Sequence, residues 1–213
     1  MSKTLIINAH PKIDDMSSVS IQVFNYFLKT YKELIHSSET LEQIDLYRDV
    51  VPMLDKTVFS AWEKLQDNKM LTNVEQKVTE RMTEILKQFK SAKTYVIVLP
   101  LHNFNIPSKL KDYMDNILIA RETFKYTETG SVGLLNDGRK VLVIQASGAI
   151  YTNDDWYNEV EYSYKYLKSM FNFIGIEDFQ IIRAQGTAVL ESSEVLQHAY
   201  KEVYEAASRL ATK

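Results

Sequence analysis

The segment Pro100-Leu101-His102-Asn103-Phe104-Asn105-Ile106-Pro107 sets an aromatic ring between two carboxamides, a set of groups suited to gripping a flat polar ring. Phe104 offers an apolar face, and Asn103 and Asn105 each offer donors and an acceptor. In isolation the triplet is better read as turn caps around an ordinary core phenylalanine, and the rest of the chain changes that balance. A second cluster, Ser17, Ser18 and Ser20, stands where a helix begins. Free N–H groups there favour an anion, so a terminal phosphate fits, as does a plain serine N-cap. A third, Gln145-Ala146-Ser147-Gly148-Ala149, is made of small and amide residues. Its backbone could approach a ring edge closely, or it could be a strand-exit turn.

The elements that must carry these clusters follow from hydrophobic periodicity. Thr94 to Leu99 is a continuous apolar, β-branched run of the kind buried in a parallel sheet, and Pro100 ends it. After Pro107, Leu110, Met114, Ile117 and Leu118 recur at helical spacing, which places the Asn103–Asn105 triplet in a strand-loop-helix unit. Lys3 to Asn8 reads as a first strand, Val19 to Leu34 as a helix and Leu41 to Leu46 as a second strand. Val50 to Asn73 reads as irregular, and a helix from Val74 to Phe89 leads into the third strand. A fourth strand at Lys140 to Gln145, a helix across Trp156 to Ile174, a fifth strand at Phe179 to Ala184 and a helix from Ser192 to Leu210 complete the chain. This alternation predicts a doubly wound parallel sheet. With strand order 2-1-3-4-5, the loops after Asn8, Leu99 and Gln145 converge at the switch point, where open α/β sheets bind ligands.

Composition narrows the chemistry. The 213 residues, 45% hydrophobic, suffice for one substantial core. A net charge of −3 with scattered Lys and Arg offers no field for a nucleic-acid backbone. Absence of cysteine removes disulfides, thiolate nucleophiles and Fe–S clusters, so redox chemistry needs a bound cofactor. His10, His36, His102 and His198 lack metal-ligand spacing, and no metal is expected. The six glycines form neither a dinucleotide fingerprint nor a phosphate-binding loop, and no G-x-S-x-G elbow is present. Asp14-Asp15 and Asp154-Asp155 are adjacent pairs whose side chains diverge, which argues against an acid/base dyad. The N-terminal stretch Met1 to Asn8 has too short an apolar run for a signal peptide, and no run reaches transmembrane length, so a cytoplasmic protein is expected. Arg121 to Leu135 is a long aromatic connection of the kind that often carries function, and the aromatic surplus of Tyr162 to Phe173 suggests a dimer interface.

Taken in order, these motifs resemble the FMN-dependent NADH-azoreductase family, also described as FMN-dependent NADH:quinone oxidoreductases. The resemblance runs nearly end to end. Ala9-His10-Pro11, Ser18-Val19-Ser20 and Pro100 to Asn105 carry it, together with Thr123 to Glu128, Gly133-Leu134-Leu135 and Phe173-Ile174-Gly175-Ile176. It implies a single flavodoxin-like domain over residues 1–213, with a five-stranded parallel sheet in the order 2-1-3-4-5 and helices on both faces. It also implies a homodimer with one FMN per subunit and sites at the interface.

By the same resemblance, Ser18, Val19 and Ser20 hold the phosphate, with His10 beside it. Pro100, Leu101, His102, Asn103 and Phe104 line the isoalloxazine, and Gln145, Ala146, Ser147 and Gly148 lie at its edge. Asn105, Phe124 and Tyr126 shape the substrate pocket. The family loop often reads Ser or Ala, Arg, Gly, Gly where this chain has Ala146-Ser147-Gly148-Ala149, which leaves backbone N–H groups to make the contact. The implied activity is ping-pong: two electrons pass from NADH through FMN to quinones, or to azo bonds that are cleaved to amines. No catalytic side chain is required, because the cofactor carries the chemistry. The absence of an arginine cluster for a 2′-phosphate favours NADH. The alternative is a non-enzymatic flavodoxin-like electron carrier or flavin sensor, against which the long segments 47–73 and 121–138 argue.

Overall fold

Apolar side chains on both faces of each central strand require a helical layer on each side of the sheet, and that is the architecture. The computed structural model describes residues 3–212, so Met1, Ser2 and Lys213 of the expected domain lie outside it. In chain order the elements are β1 (Lys3–Asn8), α1 (Val19–Leu34), β2 (Thr40–Asp45), α2 (Lys56–Gln66), α3 (Asn73–Ser91), β3 (Thr94–Pro100) and α4 (Ser108–Ile117). There follow β4 (Phe124–Thr127), β5 (Gly130–Gly133), β6 (Lys140–Ser147), α5 (Trp156–Glu159), α6 (Tyr162–Phe173), β7 (Asp178–Gln185) and α7 (Ser192–Ala211). The main sheet runs β2-β1-β3-β6-β7, all parallel. Counting its own strands alone, this is the expected order 2-1-3-4-5.

Strand period 2 divides the core in two. Leu5, Ile7, Tyr95, Ile97, Leu99, Val141 and Val143 face the layer that contributes Ile85, Phe89, Leu110, Tyr113, Leu167 and Phe171 from α3, α4 and α6. Ile6, Val96, Val98, Leu142 and Ile144 face Val23, Phe24 and Phe27 of α1 and Ala199, Val203 and Ala207 of α7. Each fully buried Leu or Ile of this kind contributes roughly 1.5–3 kcal/mol. The registers Asn8↔Val98 and Pro100↔Ala146 bring the carboxyl ends of β1, β3 and β6 to one edge. No helix among the described residues is long and apolar enough to cross a membrane.

Three expectations need correction. The stretch 50–73, expected to be irregular, contains α2, started by Asp55, whose side chain accepts the Val58 N–H; only Val58 and Ala61 of this helix are buried, so its apolar stripe is faint. The long connection 121–135 folds into an antiparallel hairpin of β4 and β5. The helix expected over Trp156 to Ile174 is broken, because Glu161 leaves helical geometry (ψ 68°) and turns its carboxylate inward to Arg183. The aromatic side chains of α6 make these contacts within the chain. Tyr164 packs on Phe179, Phe171 lies in the core and Phe173 packs on Phe124, which leaves only Tyr162 half-exposed. Val50, Met53, Phe59 and Leu65 are among the exposed apolar side chains elsewhere in the chain.

Candidate functional site

The β1–α1 loop is built around its own side chains. Asn8 Oδ1 accepts the His10 N–H at 3.0 Å, and His10 Nδ1 accepts the Lys12 N–H at 3.0 Å. With Nδ1 acting as acceptor, the neutral ring carries its proton on Nε2, which donates to Ser18 Oγ at 2.9 Å. Burial holds the His10 pKa below its ordinary value, which favours the neutral ring. The Ser18 hydroxyl proton is then free for Ser20 Oγ, 3.1 Å away, or for an oxyanion.

Ser18 is the N-cap of α1, yet its side chain does not cap the helix, and the first turn holds no acidic residue. In contrast, Asp55 caps α2 and Thr72 caps α3 in a full capping box. The start of α1 therefore keeps N–H groups and a positive dipole end directed at the sheet edge.

At the exit of β3, His102 and Asn105 exchange backbone hydrogen bonds of 2.9 Å in both directions, closing a two-residue turn. Its central residues, Asn103 (φ 47°) and Phe104 (φ 67°), both lie in the left-handed region, as a type I′ turn requires. Asparagine tolerates that region, but a phenylalanine there costs about 1–2 kcal/mol. Strain of this kind is retained where the side chain is needed in place. The half-buried Phe104 ring meets the edge of Trp156 at 5.3 Å.

The two loops meet the exit of β6 across a cavity of about 470 Å³, within the usual range for small-molecule sites. Ser17, Ser18, Val19 and Ser20 form one wall, Pro100, Leu101 and His102 a second, and Ala146, Ser147 and Gly148 a third. Leu101 N–H bonds to the Ala146 carbonyl at 2.8 Å and locks the last two walls together. A phosphate fits the serine wall, where hydroxyls and uncapped N–H groups converge beside a neutral histidine. A planar ring fits between the turn and the β6 exit, where small residues leave backbone accessible.

Eleven of the sequence-derived positions thus stand together at this cavity: Ser17, Ser18, Val19, Ser20, Pro100, Leu101, His102, Ala146, Ser147 and Gly148 in its lining, and His10 behind Ser18. Asn103 and Phe104 occupy the adjoining turn. The Gln145 side chain points elsewhere, into a buried network with Ser163 and Glu161. Asn105 Oδ1 turns back to its neighbour's N–H at Ile106. Phe124 and Tyr126 are not in the lining of this cavity. Phe124 lines a separate hollow of about 440 Å³ with Trp62, Leu65, Leu118 and Ile119, and Tyr126 is 74% exposed.

Thr187 and Ser192 line the cavity without having been singled out in the sequence. In the order 2-1-3-4-5 the exit of the fifth strand neighbours that of the fourth, so Gly186-Thr187 was findable from topology. A hollow of similar size at the opposite sheet edge is lined by Arg139, whose guanidinium is already committed to Asp137, the Ala92 carbonyl and the Tyr95 hydroxyl.

A sequence profile of the flavodoxin-like fold matches residues 2–207. An FMN-dependent NADH:quinone oxidoreductase 1 of Bacillus anthracis is 79% identical, with 100% of this chain and 97% of the relative covered. A protein of the same name from Lactiplantibacillus plantarum is 42% identical over 98% of this chain and 99% of its own length. Among solved structures, an FMN-dependent NADH-azoreductase from Bacillus anthracis in complex with FMN superposes with a TM-score of 0.98 at 79% identity, each chain covered fully. An azoreductase from the same organism gives 0.89 at 30% identity, with 98% of this chain and 100% of that one covered. The fold, the switch-point cavity and full-length identity of this order place the chain in the flavodoxin-like family, among the FMN-dependent NADH:quinone oxidoreductases.

Proposed function

We propose that the chain is an FMN-dependent NADH:quinone oxidoreductase with azoreductase activity, working as one FMN-binding domain over residues 1–213. The observation that carries this reading is the convergence of an uncapped, serine-rich helix start and a strained aromatic turn on one switch-point cavity.

Ser18 and Ser20, with the N–H groups that open α1, hold the phosphate, and His10 orients the Ser18 hydroxyl toward it. Pro100, Leu101, His102, Asn103 and Phe104 bear on the ring. Backbone N–H groups from Ala146 to Gly148 serve its polar edge, where negative charge develops, and Gln145 supports that loop from behind. The chemistry that bound FMN supplies is acceptance of hydride from NADH and delivery of two electrons to a quinone or an azo bond. Residues around the cavity contribute by positioning donor and acceptor in turn at one face.

Phe124 and Tyr126 are outside the lining of this cavity, and their part in a substrate pocket is read with a homodimer whose sites lie at the interface. The exposed Val50, Met53, Phe59 and Leu65 support such pairing. A non-enzymatic carrier is not favoured, given the enzyme names of such close relatives.

Initial rates with NADH and menadione varied together test the reading. Parallel double-reciprocal lines are expected, with two NADH consumed per azo bond cleaved when a dye replaces the quinone. Intersecting lines would overturn the alternating use of one face.

A further inference from the structure

The strained turn at Phe104 is held from behind by a buried chain of hydrogen bonds that does not touch the cavity. The Phe104 carbonyl accepts the Ser163 N–H at 3.2 Å. The Ser163 hydroxyl, fully buried, donates to Gln145 Oε1 at 2.7 Å. Gln145 Nε2 donates to Glu161 Oε1 at 3.1 Å. The Glu161 carboxylate, whose side chain is 7% exposed, receives Arg183 Nε at 2.8 Å and Nη2 at 3.0 Å in a two-pronged pair. The Arg183 guanidinium also lies 4.6 Å from the centre of the Tyr164 ring.

A buried ion pair is weak evidence for stability, because desolvation offsets the attraction. Its position suggests another use. The chain starts on β7, crosses the break between α5 and α6, passes through the residue before the Ala146 wall and ends on the backbone of the ring-facing residue. Trp156, against Phe104, belongs to the short helix that leads into Glu161.

We propose that the Arg183–Glu161 pair, acting through Gln145 and Ser163, is a positioning element for Phe104 and Trp156, and thereby sets how tightly FMN is held. The proposal rests on the reading that Phe104 faces the flavin ring.

The test is an FMN titration followed by quenching of Trp156 emission in a Trp62→Phe background, with melting of the FMN-free protein measured in parallel. Ser163→Ala strands the buried Gln145 carbonyl and is expected to weaken FMN binding about tenfold. Arg183→Met is expected to do at least as much, while Arg183→Lys, which keeps a cation on Glu161, is expected to stay within about threefold of the parent. Trp156 emission without FMN should shift in Ser163→Ala and Arg183→Met and return toward the parent in Arg183→Lys.

A purely structural network would lower melting temperatures and leave FMN affinity and Trp156 emission at parental values, and that result would overturn the proposal alone. If Arg183→Met does not fold, Ser163→Ala and Arg183→Lys decide the matter by the same two readouts. A parent protein whose Trp156 emission ignores FMN would overturn the flavin-site reading itself, and the proposal with it.

Discussion

Phe104 occupies the second central position of a type I′ turn, where glycine is the favoured residue, so substitutions there should reverse the usual stability ranking of alanine over glycine. Alanine keeps a Cβ and thus the left-handed penalty of about 1–2 kcal/mol. Glycine escapes it and loses roughly 0.5–1 kcal/mol in unfolded-chain entropy. Both give up the edge contact with Trp156, worth about 0.5–1.5 kcal/mol. Phe104→Gly should therefore lie near the parent in stability, and Phe104→Ala about 1 kcal/mol below Phe104→Gly. For a chain of 213 residues that difference corresponds to roughly 2–4 °C in melting temperature. The two variants lose the same ring, so their FMN affinities should fall together, by about tenfold. Thermal melts of the FMN-free proteins and FMN titrations separate these effects. An alanine variant as stable as the glycine variant would refute the strain argument, and undiminished FMN affinity in both would refute ring contact by Phe104.

Three further outcomes are expected. Ser18→Ala removes a hydroxyl from the phosphate wall, so FMN affinity should drop about tenfold or more while riboflavin, which lacks the phosphate, binds as before; equal losses for both ligands, measured by fluorescence titration, would misplace the phosphate. A Cβ on Gly133 would stand 2.3 Å from the Gly175 nitrogen and the Ile174 carbonyl carbon, so Gly133→Ala should cost about 3 kcal/mol or more in urea unfolding as the hairpin separates from the end of α6. Glu75 is held at a pKa of about 2, well below its ordinary value, chiefly by the Lys64 ammonium and then by the Thr72 N–H. Its folded pKa is depressed, so its contribution is present above about pH 4.5 and is lost as pH falls toward 2. Parent and Glu75→Gln melting curves should differ at neutral pH and converge across that window, and a gap that persists at pH 2 would contradict the assignment.

The central sheet was legible because Thr94–Leu99 and Lys140–Gln145 are apolar on both faces, a pattern that only strands between two helical layers can satisfy. The serine wall was legible because its serines open the first helix after β1, where free N–H groups favour an anion. Less visible was α2, which buries two residues and declares itself mainly through the Asp55 cap. The break before α6 depends on a long-range partner, Arg183, that local periodicity cannot show. The type I′ turn escaped notice because its second central residue is Phe104 instead of the expected glycine. That departure from local preference marks the position where the site asks most of the backbone.

The proposed function requires that this cavity hold FMN where NADH can reduce it, and anaerobic absorbance spectra of the FMN-loaded protein, recorded before and after NADH, decide whether it does. Loss of the flavin band on adding NADH and its return on adding menadione is the predicted result. A bound flavin that NADH leaves oxidised would contradict the account.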